Sequence, residues 1–117
     1  MKEKVETKKE NKSLTIKEII NIAYTTALSC YGVVGVSRFD AAVLDNYDTL
    51  PEERAYRGVI VRKIKANLFD VDLYIILSSE VKLTEASYEC QKVVRYALNK
   101  ASDRACRKVN VYVTAIK

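Results

Sequence analysis

The chain has 117 residues, of which 49% are hydrophobic and 30% are charged, so its length fits one domain that can bury a core. It contains no histidine, which excludes Ser/His and Cys/His nucleophilic pairs and histidine-ligated metal centres. The net charge of +5 favours anionic partners without naming one. Its cysteines, Cys30, Cys90 and Cys106, are odd in number and widely spaced, which predicts no disulfide framework or zinc site and suits a reducing cytosol.

The first segment, residues 1–13, mixes lysine and glutamate with almost no apolar surface, so we predict a disordered charged tail before a folded domain at 14–117. It lacks the apolar run and cleavage site of a secretory signal, and we therefore expect the protein in the cytoplasm. Residues 19–37 carry no formal charge, but Asn21, Thr25 and Ser29 form a polar stripe at near-helical spacing. This stripe indicates a buried helix, and we expect no transmembrane segment.

The first predicted helix begins at Thr15, because Thr15 and Glu18 have the spacing of a capping box. Its apolar side continues at helical spacing to Tyr31, and Gly32 is suited to end it. The segment Val33–Ser37 is either a turn or a short strand. Residues 38–57 have no strong period and predict a long surface excursion, with a short helical turn after Pro51.

Two strands and a turn come next. Residues 58–65 are rich in β-branched residues, and Ala66-Asn67 forms a plausible turn. In the following strand the apolar positions 69, 71, 73, 75 and 77 alternate with Asp70, Asp72 and Tyr74, which predicts one packed face and one wetter face. These two strands are expected to pair as a hairpin.

The second predicted helix runs from Thr84, taken as its N-cap, to Ser102, and a last strand spans Val109–Ile116. The element order is α-β-β-α-β. Because each strand offers mainly one apolar side, the economical packing is an α+β, two-layer fold with both helices on one face of a three-stranded sheet.

The pattern resembles the alkaline shock, or Gls-type, envelope stress response proteins of Gram-positive bacteria. Four segments carry the resemblance in the same order along the chain: Gly32–Val36, Gly58–Val61, Asp72–Ile75 and Val109–Val113. The chain departs from the family where Ala66-Asn67 replaces a common Asp-Gly turn and where residues 38–57 match poorly.

The resemblance implies a small, abundant cytoplasmic protein that acts in cell-envelope stress or homeostasis and self-associates as a homo-oligomer. It also implies protein partners: a membrane anchor protein that holds some members at the membrane, or a fatty-acid kinase encoded beside others. It carries over no catalytic residues, and we expect neither an enzyme nor a bound cofactor.

Asp70 and Asp72 leave the same face of their strand about 7 Å apart, a spacing that can hold a cation or support acid/base chemistry. The sequence supplies neither a histidine nor a phosphate-binding glycine loop beside them. An ordinary solvent-facing strand is the favoured interpretation, and we assign no catalytic or metal-binding residue.

The glycines of Gly32-Val33-Val34-Gly35 have the spacing of the KH clamp on a nucleic-acid backbone. Valine at both middle positions favours burial, and a helix-ending turn also explains the glycines. A KH-like RNA-binding module is therefore only the alternative function. An accessory subunit of a fatty-acid kinase is a further alternative.

A basic cluster lies around the end of the second helix and the loop after it, where Asp103 is the one carboxylate. Such a cluster attracts phosphates, anionic lipid or an acidic protein surface, although basic residues also end helices favourably and aid solubility. Its members are Lys92, Arg95, Lys100, Arg104, Arg107 and Lys108.

Cys106 stands among these cations, which would lower the pKa of an exposed thiol. Tyr74 and Tyr112 occupy the less apolar faces of two strands that can be neighbours. They predict that the second sheet face carries an exposed patch that favours self-association. The sequence thus favours a non-enzymatic interaction protein. It would self-associate through the tyrosine-bearing face and bind a partner through the basic cluster, reaching the membrane through that partner.

Overall fold

The computed structural model describes residues 14–117, and the predicted tail at 1–13 lies outside the described residues. The elements in chain order are helix α1 (Ile16–Leu28), strand β1 (Val33–Val36), short helix α2 (Ala41–Leu44), a 3₁₀ helix (Glu52–Arg57), β2 (Val59–Lys65), β3 (Leu68–Leu77), helix α3 (Leu83–Ser102) and β4 (Cys106–Ile116). Within 14–117, no helix is both long and apolar enough to cross a membrane.

Strand β3 is the centre of the sheet. Strand β4 runs parallel to it along one edge, so β3, α3 and β4 form a βαβ unit. On the other edge β2 pairs antiparallel with the first half of β3, and β1 pairs antiparallel with Ile75–Leu77. The α+β class is confirmed, and the segment at 33–36 is the short strand of the two predicted options, which gives the sheet four strands.

One face of the sheet carries the core, as the alternation in β3 predicts. Phe69, Val71, Leu73, Ile75 and Leu77 are all buried in one apolar cluster. Both long helices bury an apolar stripe in the same cluster, which confirms the two-layer packing on one face. The second face of β3 bears Asp70, Asp72, Tyr74 and Ile76, and the candidate site is built there and beside β4.

The helix starts were predicted with unequal success. The capping box of α1 is confirmed, because Thr15 Oγ1 accepts from the amide of Glu18 at 3.1 Å and Glu18 accepts from the amide of Thr15 at 2.8 Å. The predicted N-cap at Thr84 is wrong. Lys82 holds that position with extended backbone and makes no capping contact, and Thr84 lies inside the first turn.

The segment between β1 and β2 is more than a surface excursion. Leu50 and Ala55 belong to the core, and the hydroxyl of Tyr24 donates to the carbonyl of Leu50 at 2.8 Å. The helical turn expected after Pro51 is confirmed as the 3₁₀ helix. The short helix α2 and these anchors were invisible in the sequence, because the contacts that fix them come from distant parts of the chain.

Gly58 closes this segment against β1, and no side chain fits there. A Cβ atom at this position would overlap the carbonyl oxygen of Ser37 and would lie 2.6 Å from Val36 Cγ1. We expect Gly58→Ala to lower the free energy of unfolding by about 2 kcal/mol, because the backbone must shift to admit the methyl group. Urea unfolding measures the loss; the control Ala42→Ser, at an exposed position, should stay near the parent.

Candidate functional site

A buried carboxylate organises the second face of the sheet. Asp70 has no exposed surface, and Arg107 donates to both of its oxygens at 3.0 and 2.6 Å. Arg62 Nη1 lies 3.8 Å from the same carboxylate. Arg107 therefore holds the pKa of Asp70 below its usual value, despite the opposing effect of burial.

The neighbouring carboxylate, Asp72, is bound by arginine in the same way. We call Asp70, Asp72 and the arginines that bind them the ladder. Arg62 donates to both oxygens of Asp72 at 3.0 Å, and the amide of Asn110 donates to one of them at 3.0 Å. Burial opposes ionisation of Asp72, but these hydrogen bonds outweigh it and the pKa of Asp72 is also lowered. The solvent-facing interpretation of this pair is thus wrong, because both carboxylates lie between strands and bind side chains of β2 and β4.

Three rings continue the second face beyond the ladder. Tyr74 and Tyr112 stack with their centroids 4.8 Å apart, and Phe39 meets Tyr74 edge-on at 6.4 Å. Phe39 is 50% exposed and Tyr112 is 44% exposed. Together with Arg62 and Arg107, both also accessible, these rings form what we call the aromatic face.

Five of the six predicted cations meet in a different place, a groove of about 820 Å³ between the second half of α3 and the start of β4. Among the described residues no carboxylate lines it, so its potential is positive. The side chain of Arg95 is held by a hydrogen bond from its Nε to the carbonyl of Arg107 at 3.0 Å. We call this site the basic groove; its charged or aromatic members are Lys92, Arg95, Tyr96, Lys100, Arg104 and Lys108.

The turn from α3 to β4 shapes the basic groove. Asp103 and Arg104 both have left-handed backbone, with φ of 57° and 69°. This conformation is unfavourable for residues other than glycine, and here it ends the helix and returns the chain with Arg104 on the wall of the groove. The basic cluster is therefore divided, since Arg107 belongs to the ladder on the sheet face and the other five cations belong to the groove.

The alternative interpretation of Gly32 to Gly35 as a nucleic-acid clamp requires an exposed loop, which these residues do not form. Gly32 lies in a turn with φ of 86°, but Val33–Val36 is a strand paired with β3. A Cβ at Gly35 would overlap the side chain of Thr49, so that glycine admits the following loop against the strand. The clamp interpretation of these glycines is wrong, because the backbone that would bind a phosphate is used within the sheet.

All three cysteines are free thiols; Cys90 and Cys106 are buried, and Cys30 is partly buried. Cys106 is 1% exposed, and burial raises its pKa to about 11, so it is not the exposed thiol whose pKa the neighbouring cations would lower. Burial likewise raises the pKa of Cys30 and Cys90. In the part of the chain that the structure describes, no three cysteine, aspartate or glutamate side chains converge as metal ligands.

Sequence reasoning missed the two side chains that complete the second face. Arg62 binds both aspartates, and Phe39 extends the tyrosine stack. The placement of Tyr74 beside Tyr112 was foreseen, and the two pair directly in the register of β3 and β4.

A family model matches residues 4–117 of the chain, and it describes the alkaline shock protein family, with a cell envelope-related function. The chain belongs to this family. The resemblance drawn from the sequence is therefore confirmed, and with it a function related to the cell envelope.

Two relatives agree with this assignment. The chain is 31% identical to the uncharacterized protein YloU of Bacillus subtilis (strain 168) over 99 residues, 85% of this chain and 82% of that protein. It is also 31% identical to the uncharacterized protein Spy1614 of Streptococcus pyogenes serotype M6 over 115 residues, 97% of this chain and 93% of that protein. Neither these names nor the family description states an enzymatic activity.

Solved structures share the fold of this member of the alkaline shock protein family. A variant of MamM-CTD superposes with a TM-score of 0.54 at 16% identity, covering 88% of this chain and all of that one. The copper form of another MamM CTD variant gives a TM-score of 0.54 at 14% identity over the same 88%. At such identities the likeness shows the fold alone.

The Asp70–Arg107 pair predicts a pH-dependent stability. Because the folded-state pKa of Asp70 is lowered, its contribution is present above the usual aspartate pKa near 4 and is lost as the pH falls through the lowered value. We expect Arg107→Ala to lower the urea midpoint at pH 7 and to approach the parent midpoint as the pH falls below about 3.5. The exposed variant Lys65→Ala should show no such convergence; an equal loss at every pH would contradict the assignment.

Proposed function

We propose that this alkaline shock family protein is a non-enzymatic scaffold of the cell envelope that acts by self-association and by binding a protein partner. It works from the cytoplasm and reaches the membrane through that partner. The observation that supports the proposal is the separation of two accessible surfaces, the aromatic face and the basic groove. Beside them, Asp70 and Asp72 are paired with arginines, and Cys90 and Cys106 are buried.

The aromatic face is the self-association surface. Tyrosine, phenylalanine and arginine are the residue types enriched in protein interfaces, and here they form one continuous patch. The two arginines are already oriented by Asp70 and Asp72, so little side-chain entropy is lost when a second copy binds them. The stacked rings are likewise fixed before binding.

The basic groove is the partner surface. Within 14–117 no carboxylate lines the groove, and of its five cations Lys92 alone forms an ion pair, with Glu89 outside the groove at 3.4 Å. Two of the cations lie over exposed tyrosine rings: Lys92 Nζ over Tyr88 and Lys100 Nζ over Tyr96. A groove of this charge favours an acidic protein surface and accelerates its encounter. The partner classes implied by the sequence resemblance are a membrane anchor protein and a fatty-acid kinase.

Self-association is tested with Tyr112→Asp, which places a charge at the centre of the aromatic face. We expect the dimer dissociation constant to rise at least tenfold, about 1.4 kcal/mol, because the stack is lost and a carboxylate must be desolvated. Light scattering over a concentration series measures it. Tyr31→Asp, at a tyrosine 84% exposed outside that face, is the matched control. A parent protein that stays monomeric at high micromolar concentration would refute this surface.

Partner binding is tested by charge reversal in the basic groove. We expect the double variant Lys100→Glu, Arg104→Glu to retain less than a fifth of the partner captured by the tagged parent after cross-linking at native expression, because two of the five groove cations become acidic. Lys63→Glu, Lys65→Glu makes the same change in net charge on exposed residues of β2 and should capture normally. Equal capture by both double variants would contradict the assignment of the basic groove as the partner surface.

A further inference from the structure

Strand β4 has an open edge. It pairs with β3 along one side, and in the described part of the chain no strand pairs with its other side. The open edge is part of an 11-residue strand, long enough to accept a further strand. Proteins normally cover or interrupt such an edge. The two halves of this edge differ in whether they are covered.

The first half of the edge is closed by helix α3. The carbonyl of Arg107 accepts from Arg95 Nε at 3.0 Å, and the carbonyl of Val109 accepts from Gln91 Nε2 at 2.7 Å. These carbonyls therefore point away from β3. Side chains of α3 occupy the positions that a neighbouring strand would use, and this half of the edge is not a pairing site.

The second half of the edge is open. The pairing of β4 with β3 has no register shift from Val109 to Val113, so backbone directions alternate regularly there. Since the carbonyl of Val109 points outward, Val111 and Val113 also direct their N–H and C=O groups to the open side. Two residues in succession along that side thus present a donor and an acceptor each.

A second groove runs beside these open groups. It has a volume of about 450 Å³ and lies between the first half of α3 and β4. Leu83 and Tyr88 on its helix wall are 45% and 58% exposed, and Val111 and Val113 on the other wall are partly buried. Gln91 lines both this groove and the basic groove, so the two are adjacent along β4, with the Gln91–Val109 hydrogen bond crossing between them; we call the pair of grooves the channel. We call this second groove the edge groove.

We infer that the edge groove binds an extended segment of the partner protein as an added strand beside Val111–Val113, with acidic residues of the same segment lying over the basic groove. The inference rests on the partner binding proposed above and specifies its chemistry. From Lys108 to Val113 the channel follows five residue steps of β4, about 17 Å, so an extended segment of about six residues fills it. Main-chain hydrogen bonds would give affinity, and the two grooves would give specificity.

Charge distinguishes this occupant from a second copy of the chain. Strand β4 contains Arg107 and Lys108 and no acidic residue, so β4 of another copy cannot neutralise the basic groove. A segment with an apolar, alternating stretch followed or preceded by glutamates satisfies both ends of the channel at once. Pairing between two copies at this edge is therefore an outcome that the experiment must separate.

The test uses the full chain and a fluorescent 12-residue peptide in which six residues alternate valine with threonine and the rest include three glutamates. Both orders of the two halves are made, because the added strand can run either way. We expect one order to bind, with the amides of Val111 and Val113 becoming protected from hydrogen exchange. Replacing glutamate by glutamine, or methylating alternate backbone nitrogens of the peptide, should each weaken binding at least tenfold.

The protein variants separate backbone pairing from charge. Val111→Pro removes an outward N–H without removing a bond to β3, and it should weaken peptide binding at least tenfold. Lys100→Glu, Arg104→Glu should do the same, and Lys63→Glu, Lys65→Glu should bind as the parent does. The peptide variants need no change in the protein, so they decide the question even if the proline variant does not fold.

Three results would overturn the inference. These are no binding of either peptide order at millimolar concentration, equal binding of the N-methylated peptide, and an oligomer of the free protein that Val111→Pro dissociates. The last would assign the edge to a second copy. If the peptide fails while charge reversal still abolishes partner capture, the proposed function stands and the added strand is wrong.

Discussion

The buried carboxylate of Asp70 is the interaction on which the arrangement of surfaces depends. It lies on the central strand and binds Arg107 from β4 and Arg62 from β2, so it joins three strands across the face opposite the two long helices. A buried carboxylate needs compensating charge, and the arginines that supply it are thereby fixed beside the stacked tyrosines. Without this demand Arg107 would be free to join the other cations, and the aromatic face would lose one of its oriented charges.

Local signals in the sequence predicted much of this fold. The strict alternation in β3 identified the core face, and the Thr15–Glu18 spacing identified the start of α1. The pairing of Arg62 with the aspartates was out of reach. A two-residue turn at Ala66-Asn67 places Lys63 opposite Asp70, but an irregularity between Lys63 and Lys65 moves Arg62 there. That one-residue shift changes which cation reaches the second face.

In the candidate site, too, the sequence shows which residues take part, whereas tertiary structure decides where they lie. A run of cations around residues 92–108 is visible in the sequence, but a bulge beside residue 107 and the left-handed turn at 103–104 decide where each one points. The glycines at 32 and 35 show the reverse case, in which a local motif suggests a loop and the pairing of Val33–Val36 with β3 removes it. Local patterns here identified the residues of the candidate site, and strand register determined which surface each residue belongs to.

The positions of the two surfaces bear on how a scaffold can use both. The aromatic face lies on the side of the sheet opposite the helices, whereas the basic groove lies between α3 and the outer strand. A second copy bound to the aromatic face therefore leaves the basic groove accessible, whereas the edge groove shares Tyr112 with that face and borders the self-association surface. Several copies in one assembly then present several basic grooves, and a partner with repeated acidic segments would bind with an effective concentration that a single copy cannot provide.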